Sequence, residues 1–415
     1  MKQFVIIGNA IAAAGCIEGI RKIDRDTKII VVSAENRHVY CRPLISYYLE
    51  GKTDPERMKY RPDTFYSENN CDVLYGVEAL HISPESSTID LSNGSVLSYD
   101  AVCIATGSSP FVPPFTGLDN VENKYTFMTM DSALAIENAI TAESRVMIIG
   151  AGLIGLKCAE GLVHRVASIT VCDLANRVLS SIMDDDCAGM MQKSLEENGI
   201  RFMLEDSASR FEKNKAFMKS GKEVDFDILI LAIGVRPNIG LVKDAGGAVS
   251  KGILTNDRME TSLPGIFAAG DCVESCDVSS GNRIILAIFP NAYLQGYCAG
   301  VNMAGGNAVF DHAIPMNSIG FFGQHAMTAG SYFDEEHGGC VYEERSENRI
   351  KRLFSKDGYL TGFMLVGDTE RAGIYTSLVR ERVPLDTVDF EMVKKSPSLL
   401  PFGRIYRDNR LGGVV

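Results

Sequence analysis

The fold of this chain is decided by the stretch Arg145-Val-Met-Ile-Ile-Gly150-Ala-Gly152-Leu-Ile-Gly155-Leu-Lys157-Cys-Ala-Glu160. Its first residues form a short apolar run typical of a buried β-strand, and the residues from Leu153 onward predict a helix. Between them, Gly150 permits a tight turn, Gly152 lets the backbone approach a pyrophosphate, and Gly155 lets the helix pack closely on the strand. The spacing of the three glycines therefore predicts a dinucleotide-binding turn.

The residues after this turn complete a nucleotide-binding unit. Leu153 and Ile154 open the helix, where free N–H groups and the positive end of the helix dipole face the phosphates. A second apolar run ends at Asp173, about 20 residues after the glycines, where an acid can accept from both ribose hydroxyls of NAD. Gly234, which ends the apolar run 227–234, is included in the predicted NAD site.

A weaker copy of the motif opens the chain. Residues 3–7 predict a first strand, and Gly8-Asn-Ala10-Ile-Ala-Ala13 follows, with alanine at the second and third glycine positions. Alanine is a known variant at the third position, whereas the methyl group of Ala10 must lie beside the pyrophosphate. The next predicted strand leads to Glu35, which again fits a ribose diol. The chain is therefore predicted to contain two dinucleotide-binding units.

Composition limits the class of protein. A length of 415 residues suggests two or three domains, and a net charge of −12 argues against a nucleic-acid partner. Phe4 already lies in the first predicted strand, and no apolar run approaches the ~18 residues needed to span a bilayer. Eleven scattered cysteines without a Cys-x-x-Cys pair are typical of a reducing compartment. We therefore expect a cytoplasmic protein without a membrane segment.

Further elements and the metal content follow from the same patterns. The other predicted segments are β-strands at 72–80 and 87–91 near a hairpin at 93–94, a proline-rich linker at 110–114, and helices at 131–141, 184–198 and 292–304. His312, His325 and His337 have no metal-ligand spacing. Cys272 and Cys276 are too few for an iron–sulfur cluster, which needs four ligands, so we expect no metal.

The two units, together with Ala105-Thr106-Gly107 after one buried strand and Gly270-Asp271 after another, resemble the flavoproteins of the pyridine nucleotide–disulfide oxidoreductase superfamily. The resemblance covers residues 1 to about 305. It implies an α/β fold with two Rossmann-like dinucleotide-binding domains and a small C-terminal α/β domain. The implied domains are an FAD-binding domain at 1–113 and 242–310, an inserted NAD-binding domain at 114–241, and a C-terminal domain at 311–415.

The resemblance also implies which residues hold FAD. It places Gly8, Ala10 and Ala13 at the pyrophosphate and Glu35 at the adenosine ribose. The other residues that it implies are Ala79 near the adenine, Arg42 and Pro43 in contact with FAD, Ala105, Thr106 and Gly107 over the turn, Asp271 at the ribityl or pyrophosphate end, and Ala292 in a helix that points at the flavin ring. The implied cofactors are FAD and NAD(H), with NADH preferred because Asp173 repels a 2′-phosphate.

The route of the electrons after the flavin distinguishes the members of this superfamily. Glutathione-type reductases carry a Cys-x4-Cys pair after the first acid, and this chain has none. In single-cysteine members the redox cysteine aligns with Pro43, so Cys41 lies two residues early. The stretch Tyr40-Cys-Arg42-Pro43-Leu-Ile-Ser46 instead resembles NADH:rubredoxin oxidoreductases, ferredoxin reductases, and the flavin part of nitrite reductase large subunits. It also resembles FAD–NAD oxidoreductases found beside iron–sulfur proteins. These relatives imply electron transfer between NAD(H) and an iron–sulfur protein or rubredoxin.

Two other functions stay open from the sequence. One is an NADH oxidase or a thiol/persulfide (coenzyme A-disulfide-like) reductase that uses Cys41, and the other is an NADH-sensing flavoprotein. Lys157 stands where many relatives have a glutamate, and Tyr47 stands where they have the lysine that pairs with it. We expect a changed contact above the flavin, with Lys157 as the candidate catalytic residue whose positive charge raises the flavin potential. A surface lysine that reaches solvent is the alternative.

Overall fold

The computed structural model describes residues 2–411, and these residues form two compact units. The first unit comprises residues 2–176, 199–275 and 283–311, and the second comprises 177–198, 276–282 and 312–411. The division of the chain into an FAD domain, an inserted NAD domain and a C-terminal domain stays a prediction.

The regular elements comprise helices and short strands, with several runs of consecutive strands. The elements up to residue 139 are β1 (Gln3–Ile7), α1 (Ile11–Ile23), β2 (Lys28–Ser33), α2 (Ile45–Leu49), α3 (Phe65–Glu68), β3 (Cys71–Tyr75), β4 (Ala79–Ser83), β5 (Thr88–Leu91), β6 (Val96–Ser98), β7 (Ala101–Ile104), β8 (Ser108–Pro110), β9 (Lys124–Thr126) and α4 (Met130–Ala139). Those up to residue 303 are β10 (Arg145–Ile149), α5 (Leu153–Leu162), β11 (Ser168–Cys172), α6 (Asp185–Glu197), β12 (Ile200–Met203), β13 (Ala208–Glu212), β14 (Lys215–Met218), β15 (Glu223–Asp225), β16 (Ile228–Leu231), β17 (Val235–Pro237), α7 (Gly240–Asp244), β18 (Ile253–Leu254), β19 (Ile266–Ala268), β20 (Val273–Cys276), β21 (Arg283–Ile285) and α8 (Phe289–Met303). The last are β22 (Met316–Phe321), β23 (Gln324–Gly330), β24 (Cys340–Ser346), β25 (Arg349–Lys356), β26 (Tyr359–Val366), α9 (Ala372–Arg380), α10 (Phe390–Lys395) and α11 (Arg404–Leu411).

Two parallel five-stranded sheets form the frame of the first unit. Their strand orders are β19-β7-β1-β2-β3 and β12-β11-β10-β16-β9. The central strands β1, β7, β10 and β16 are almost wholly buried, because parallel sheets of this kind are covered on both faces. The predicted α/β fold with two Rossmann-like sheets is confirmed.

Two boundaries differ from the sequence prediction. The predicted strand 72–80 is two strands in different sheets, since β3 joins the first parallel sheet and β4 begins the antiparallel sheet β4-β5-β6. Gly76, with φ of +68°, lies in the turn that separates them. The helix predicted at 292–304 begins at Phe289, because Pro290 fits the first turn of a helix, where no N–H partner is needed.

Helices α1 and α8 pack backbone to backbone against the first sheet. A Cβ added at Gly15 would lie 2.3 Å from the Tyr293 carbonyl oxygen, and one at Gly300 would lie 2.0 Å from that of Cys16. Glycine from each helix therefore permits a separation that no side chain could enter. This contact fixes the helix of the first nucleotide turn against the helix predicted to point at the flavin.

A short two-stranded ribbon joins the two parallel sheets. Strand β8 leads towards the second sheet, and β17 returns antiparallel beside it, with Val235 opposite Pro110. The Thr106 hydroxyl donates to the Asn238 carbonyl oxygen at 2.9 Å, and Asn238 Nδ2 donates to the Thr106 carbonyl oxygen at 2.8 Å. The two connections are thus hydrogen-bonded to each other where they leave the first sheet.

The second unit is built on the antiparallel sheet β22-β23-β26-β25-β24 together with α6. The Asp184 side chain caps α6 by accepting from the Cys187 N–H at 2.9 Å. The Arg352 guanidinium on β25 pairs with Asp184 and Asp186 at the start of α6 and with Glu343 on β24. Along residues 2–411 no helix has both the length and the apolar character needed to cross a bilayer.

Candidate functional site

The first nucleotide turn lies where strands β1, β2 and β7 end together. Gly8 has a φ of +115°, and a Cβ added there would lie 2.1 Å from the Ala105 carbonyl oxygen. Its N–H donates to the Val32 carbonyl oxygen at 2.8 Å, and the Ala105 N–H donates to that of Ile7 at 2.7 Å. Only glycine fits at the first position of this turn, as the sequence predicts.

The second position of the turn accommodates alanine without strain. Ala10 has a φ of −111°, which any L-residue adopts, and it precedes α1 without a side-chain cap. Because no side chain caps the helix, the first N–H groups of α1 face the turn in the manner of an anion site. The Gly270 N–H donates to Gln295 Oε1 at 2.7 Å, which holds the end of β19 beside this turn.

Asp271 follows Gly270 at the same edge of the sheet. Burial raises the pKa of this carboxyl above its ordinary value, and the positive charge of Arg42 opposes that rise. The hydroxyl of Ser108 donates to Asp271 Oδ2 at 3.5 Å, a long hydrogen bond. A half-buried carboxylate with such a weak donor is suited to accept from the hydroxyl groups of a bound dinucleotide.

Glu35 lies just beyond β2, as predicted for the ribose acid, and side chains brace it. Its Oε2 accepts from the Tyr40 hydroxyl at 2.8 Å, and its Oε1 pairs with the Arg42 guanidinium. The Tyr40 hydroxyl also accepts from the Met130 N–H at 3.0 Å, at the first residue of α4. Burial raises the pKa of Tyr40 to about 12, so the phenol keeps its proton at neutral pH. The acid at this turn is thereby connected to α4, which lies between strands β9 and β10 of the second sheet.

The second nucleotide turn has the same backbone geometry. Gly150 has a φ of +114°, and an added Cβ would lie 2.2 Å from the Ala232 carbonyl oxygen. Asp173 ends β11, and its carboxylate accepts from the Ala151 N–H at 2.6 Å and from the Ala175 N–H at 2.8 Å. A Cβ added at Gly152 would meet no atom within 4 Å, so nothing in the protein itself prevents a close approach by a ligand.

Most of the predicted nucleotide-binding residues lie near the ends of the parallel strands. Gly155, Leu153 and Ile154 lie in the first turn of α5, and Gly234 follows β16 with a φ of +107°. At the first turn, Ala13 is buried in α1, and Thr106 and Gly107 follow β7. These residues come from the carboxyl ends of parallel strands, where dinucleotides bind in such sheets.

Three predicted FAD residues lie on other elements. Pro43 stands in the 3-10 turn Arg42–Leu44 that leads into α2. Ala292 is buried in the first turn of α8, and its Cβ is 3.8 Å from where a Cβ on Gly270 would lie. Ala79 opens β4 in the small antiparallel sheet, and its role beside the adenine stays a prediction.

Lys157 contacts Tyr47, as the changed pair of residues predicts. The Lys157 ammonium lies 5.5 Å from the centroid of the Tyr47 ring and 2.6 Å from Glu160 Oε2. The side chains of Lys157 and Glu160 are 22% and 12% exposed, so the ion pair is largely sheltered. Whether Lys157 contacts the flavin stays a prediction.

Cys41 has the properties of an unreactive, protonated thiol. It is half-buried and its N–H donates to the Met58 carbonyl oxygen at 2.8 Å. Burial raises the pKa of the Cys41 thiol, and the thiolate is the reactive form of cysteine. All eleven cysteines lie in the described part of the chain, and each is a free thiol.

Sequence reasoning missed three residues that support these sites. Tyr40 braces Glu35, Asn238 holds Thr106, and Glu160 pairs with Lys157. Only Glu160 had a sequence signal, because residues three apart on a helix lie on the same face. Tyr40 and Asn238 reach their partners through the tertiary fold. Across residues 2–411, no group of three or more histidine, cysteine or acidic side chains is arranged to hold a metal ion.

The two turns share three features that the resemblance assigns to dinucleotide binding. Each has a glycine that cannot be replaced, a helix start without a side-chain cap, and an acid shortly after the next strand. A family model described as pyridine nucleotide-disulphide oxidoreductase matches residues 2–296.

The similarity to individual proteins covers more of the chain than the family match does. The NADH-dependent phenylglyoxylate dehydrogenase subunit epsilon of Aromatoleum evansii is 32% identical over 395 residues, covering 92% of each chain. An NADH oxidase of Methanocaldococcus jannaschii is 32% identical, covering 88% of this chain and 87% of its own. The putidaredoxin reductase–putidaredoxin complex superimposes with a TM-score of 0.87 at 23% identity, covering 95% of this chain and 96% of that one, which shows a shared fold.

Proposed function

Because this chain belongs to the pyridine nucleotide-disulphide oxidoreductase family, we propose that it passes electrons between NAD(H) and a one-electron iron–sulfur or rubredoxin-type protein through bound FAD. The family, its oxidoreductase activity and its cofactors FAD and NAD(H), all implied by the sequence, are confirmed by the match over residues 2–296. The identity of the partner and the residues of the site are our proposals. The single observation that carries the partner proposal is that the stretch from Tyr40 to Ser46 has proline at the position of the redox cysteine.

That stretch contains a single cysteine and therefore no dithiol that could accept an electron pair. Pro43 occupies the position that aligns with a redox cysteine, and the thiol of Cys41 has a pKa raised by burial. A thiol that stays protonated is a poor nucleophile and a poor partner for the flavin. With no dithiol beside the ring, electrons leave most simply one at a time to a protein that carries a metal centre.

The residues of the two turns then have separate tasks. The α1 turn with Gly8, Glu35 and Asp271 would hold FAD, and the α5 turn with Gly150 and Asp173 would hold NADH. Bound at these turns, NADH would supply a hydride and FAD would accept it and could release the electrons singly. The protein supplies position and electrostatics, since the chemistry belongs to the two cofactors.

The names of the relatives support this proposal and one alternative. The Aromatoleum protein is by name a subunit of an NADH-dependent dehydrogenase, and putidaredoxin reductase was solved in covalent complex with putidaredoxin. The Methanocaldococcus protein is named an NADH oxidase, which keeps oxygen as an alternative acceptor. A thiol/persulfide reductase using Cys41, or an NADH-sensing flavoprotein with slow turnover, would be the remaining functions.

The test begins with the visible spectrum. We expect a yellow protein with one FAD per chain, bleached by anaerobic NADH and then reoxidised by added rubredoxin or ferredoxin. A protein that takes up no FAD would contradict the proposal at its base. Bleaching followed by reoxidation with oxygen alone would favour the oxidase, and tight NADH binding with slow turnover on every acceptor would favour the sensor.

Cys41→Ser separates the thiol reductase from the electron-transfer function. We expect the variant to keep most of the rate of flavin reduction by NADH and of turnover with the protein acceptor. Cys340→Ser, which changes an exposed thiol, is the matched control. A charge-transfer band on reduction that vanishes in Cys41→Ser but not in Cys340→Ser would show that Cys41 is redox-active.

A further inference from the structure

A cleft opens at the end of the second parallel sheet that lies opposite the nucleotide turn. It has a volume of about 370 Å³ and is lined by residues of β10, β11, β12 and β15. Sites for small molecules commonly measure ~300–1,000 Å³. Gly150 and Asp173 follow the other ends of β10 and β11, roughly 15 Å away along strands of this length. This strand-start cleft is therefore separate from the predicted NAD site.

The floor of the strand-start cleft is one face of the parallel sheet. Thr170 on β11 pairs with Arg201 on β12, and Ser168 lies two residues before Thr170, so the three side chains point to the same side. Cys172 lies two residues further along this face and belongs to one hydrophobic core with Phe211 of the antiparallel sheet β13-β14-β15. The antiparallel sheet therefore covers the later part of this face and leaves its start open.

The polar groups on the floor are available to a ligand. Within residues 2–411, the hydroxyls of Ser168 and Thr170 and the guanidinium of Arg201 have no hydrogen-bond or ion-pair partner. A guanidinium donates to a carboxylate through two parallel hydrogen bonds, and each hydroxyl beside it can donate one more. The floor of the cleft therefore fits a carboxylate group.

The β15 side of the cleft carries the opposite charge. Asp225 lies 3.8 Å from the Arg145 guanidinium and 3.7 Å from the Lys215 ammonium. Arg145 has a nearer carboxylate in Asp227, at 2.9 Å. Lys215 has a nearer one in Glu223, at 2.6 Å. The exposed Asp225 carboxylate is therefore only weakly neutralised and can accept from the ammonium of a ligand.

We propose that the strand-start cleft binds a small zwitterion with an apolar tail, such as a free branched-chain amino acid. Arg201 and the two hydroxyls hold the carboxylate of the ligand, and Asp225 accepts from its ammonium. Half-buried Met203 and Val224 complete the lining and contact the tail. The site requires neither bound FAD nor an electron acceptor, so it stands apart from the proposed electron transfer.

Three probes with the same tail separate the two charges of the ligand. Calorimetric titration of the purified full-length chain should show saturable binding of free leucine. Isocaproate, which lacks the ammonium, and isoamylamine, which lacks the carboxylate, should each bind at least about tenfold more weakly. Saturating NAD⁺ should leave the binding of leucine unchanged, because the predicted NAD site lies at the other ends of the strands. No saturable binding of leucine up to about 10 mM, or its loss with NAD⁺, would overturn the proposal.

Variants of the two charged side chains place the ligand in the cleft. Arg201→Met should weaken the binding of leucine about tenfold, and Asp225→Asn should weaken it about threefold while isocaproate binds as to the wild type. Arg25→Met, at an exposed arginine outside the cleft, is the matched control and should bind leucine like the wild type. If Arg201→Met does not fold, Thr170→Val removes one donor, and a loss of about threefold is expected. Wild-type binding of leucine in the cleft variants, or an equal loss in Arg25→Met, would overturn the site.

Discussion

The two nucleotide turns have the same backbone and differ in what surrounds it. Gly8 and Gly150 have φ angles of +115° and +114°, and a carbonyl oxygen of the neighbouring strand closes over each. The acids that follow differ: Glu35 is held by the side chains of Tyr40 and Arg42, whereas Asp173 is held by backbone N–H groups of its own turn. The same turn is thus stabilised by distant side chains at one site and by local backbone at the other.

The third glycine position sharpens the difference. A Cβ added at Gly155 would lie 2.1 Å from the Gly150 carbonyl oxygen, whereas Ala13 carries a buried Cβ at the matching position. Helix α5 therefore approaches its own turn more closely than α1 does. The second turn has room only for glycine at its third position, whereas the first turn accommodates alanine there.

The largest effect should come from the glycine that both turns share. In Gly150→Ala the positive φ costs ~1–3 kcal/mol, and the contact with the Ala232 oxygen forces the backbone to move. We expect the variant to keep its FAD and to bind NADH at least about tenfold more weakly, measured by anaerobic titration. Gly8→Ala should instead lose FAD, because its strain lies at the first turn. Loss of FAD in Gly150→Ala would show that the two turns are not independent.

A more selective effect, on the choice between NADH and NADPH, is expected from the charge of the second acid. The kcat/KM for NADH should exceed that for NADPH by about a hundredfold. With NADPH, Asp173 would lose a hydrogen bond to the ribose and meet the like charge of the 2′-phosphate. Arg177, which could receive a phosphate, pairs with Asp185 at 3.0 Å and donates to the Met183 carbonyl oxygen. Asp173→Asn, which removes only the charge, should narrow the ratio to about tenfold. Equal kcat/KM values in the wild type would mean that Asp173 does not face the ribose.

The brace on the first acid should matter less than either turn. In Tyr40→Phe, Glu35 loses one donor and the Met130 N–H loses its acceptor, so we expect a loss of about 1–3 kcal/mol in unfolding free energy. FAD affinity should fall several-fold while NADH binding to the loaded protein changes little. Tyr75→Phe, at an exposed tyrosine, is the control. An unchanged unfolding free energy of Tyr40→Phe in urea would show that Tyr40 does not stabilise the first turn.

The smallest effect should come from exchanging the second positions of the two turns. Ala10→Gly should leave FAD content and Tm nearly unchanged, since Ala10 has an unstrained backbone. Gly152→Ala should also leave Tm unchanged, because the added Cβ meets no protein atom. The same variant should weaken the binding of NADH by about threefold. A fall in Tm for Gly152→Ala would show that the protein, and not the pyrophosphate, needs this glycine.

The sequence was sufficient wherever a local rule determined the structure. The strand, glycines and helix around Gly150 were predictable because turn sterics and helix dipoles act within a few residues. The same holds for the positions of the two acids, each of which follows a strand. The contacts of Tyr40 with α4 and of Asn238 with Thr106 join residues far apart in the chain, so no periodicity indicates them. The predicted strand at 72–80 failed because an apolar run does not show which sheet each half will join.

The ribbon of β8 and β17 bears on how such a chain could arise. The segment between Pro110 and Val235 leaves the first sheet and returns to it with its two ends side by side. A segment whose ends meet can be exchanged as a cassette without stretching its host, as domain insertion requires. The ends of the segment that carries the second nucleotide turn therefore already meet this condition for insertion into the first sheet.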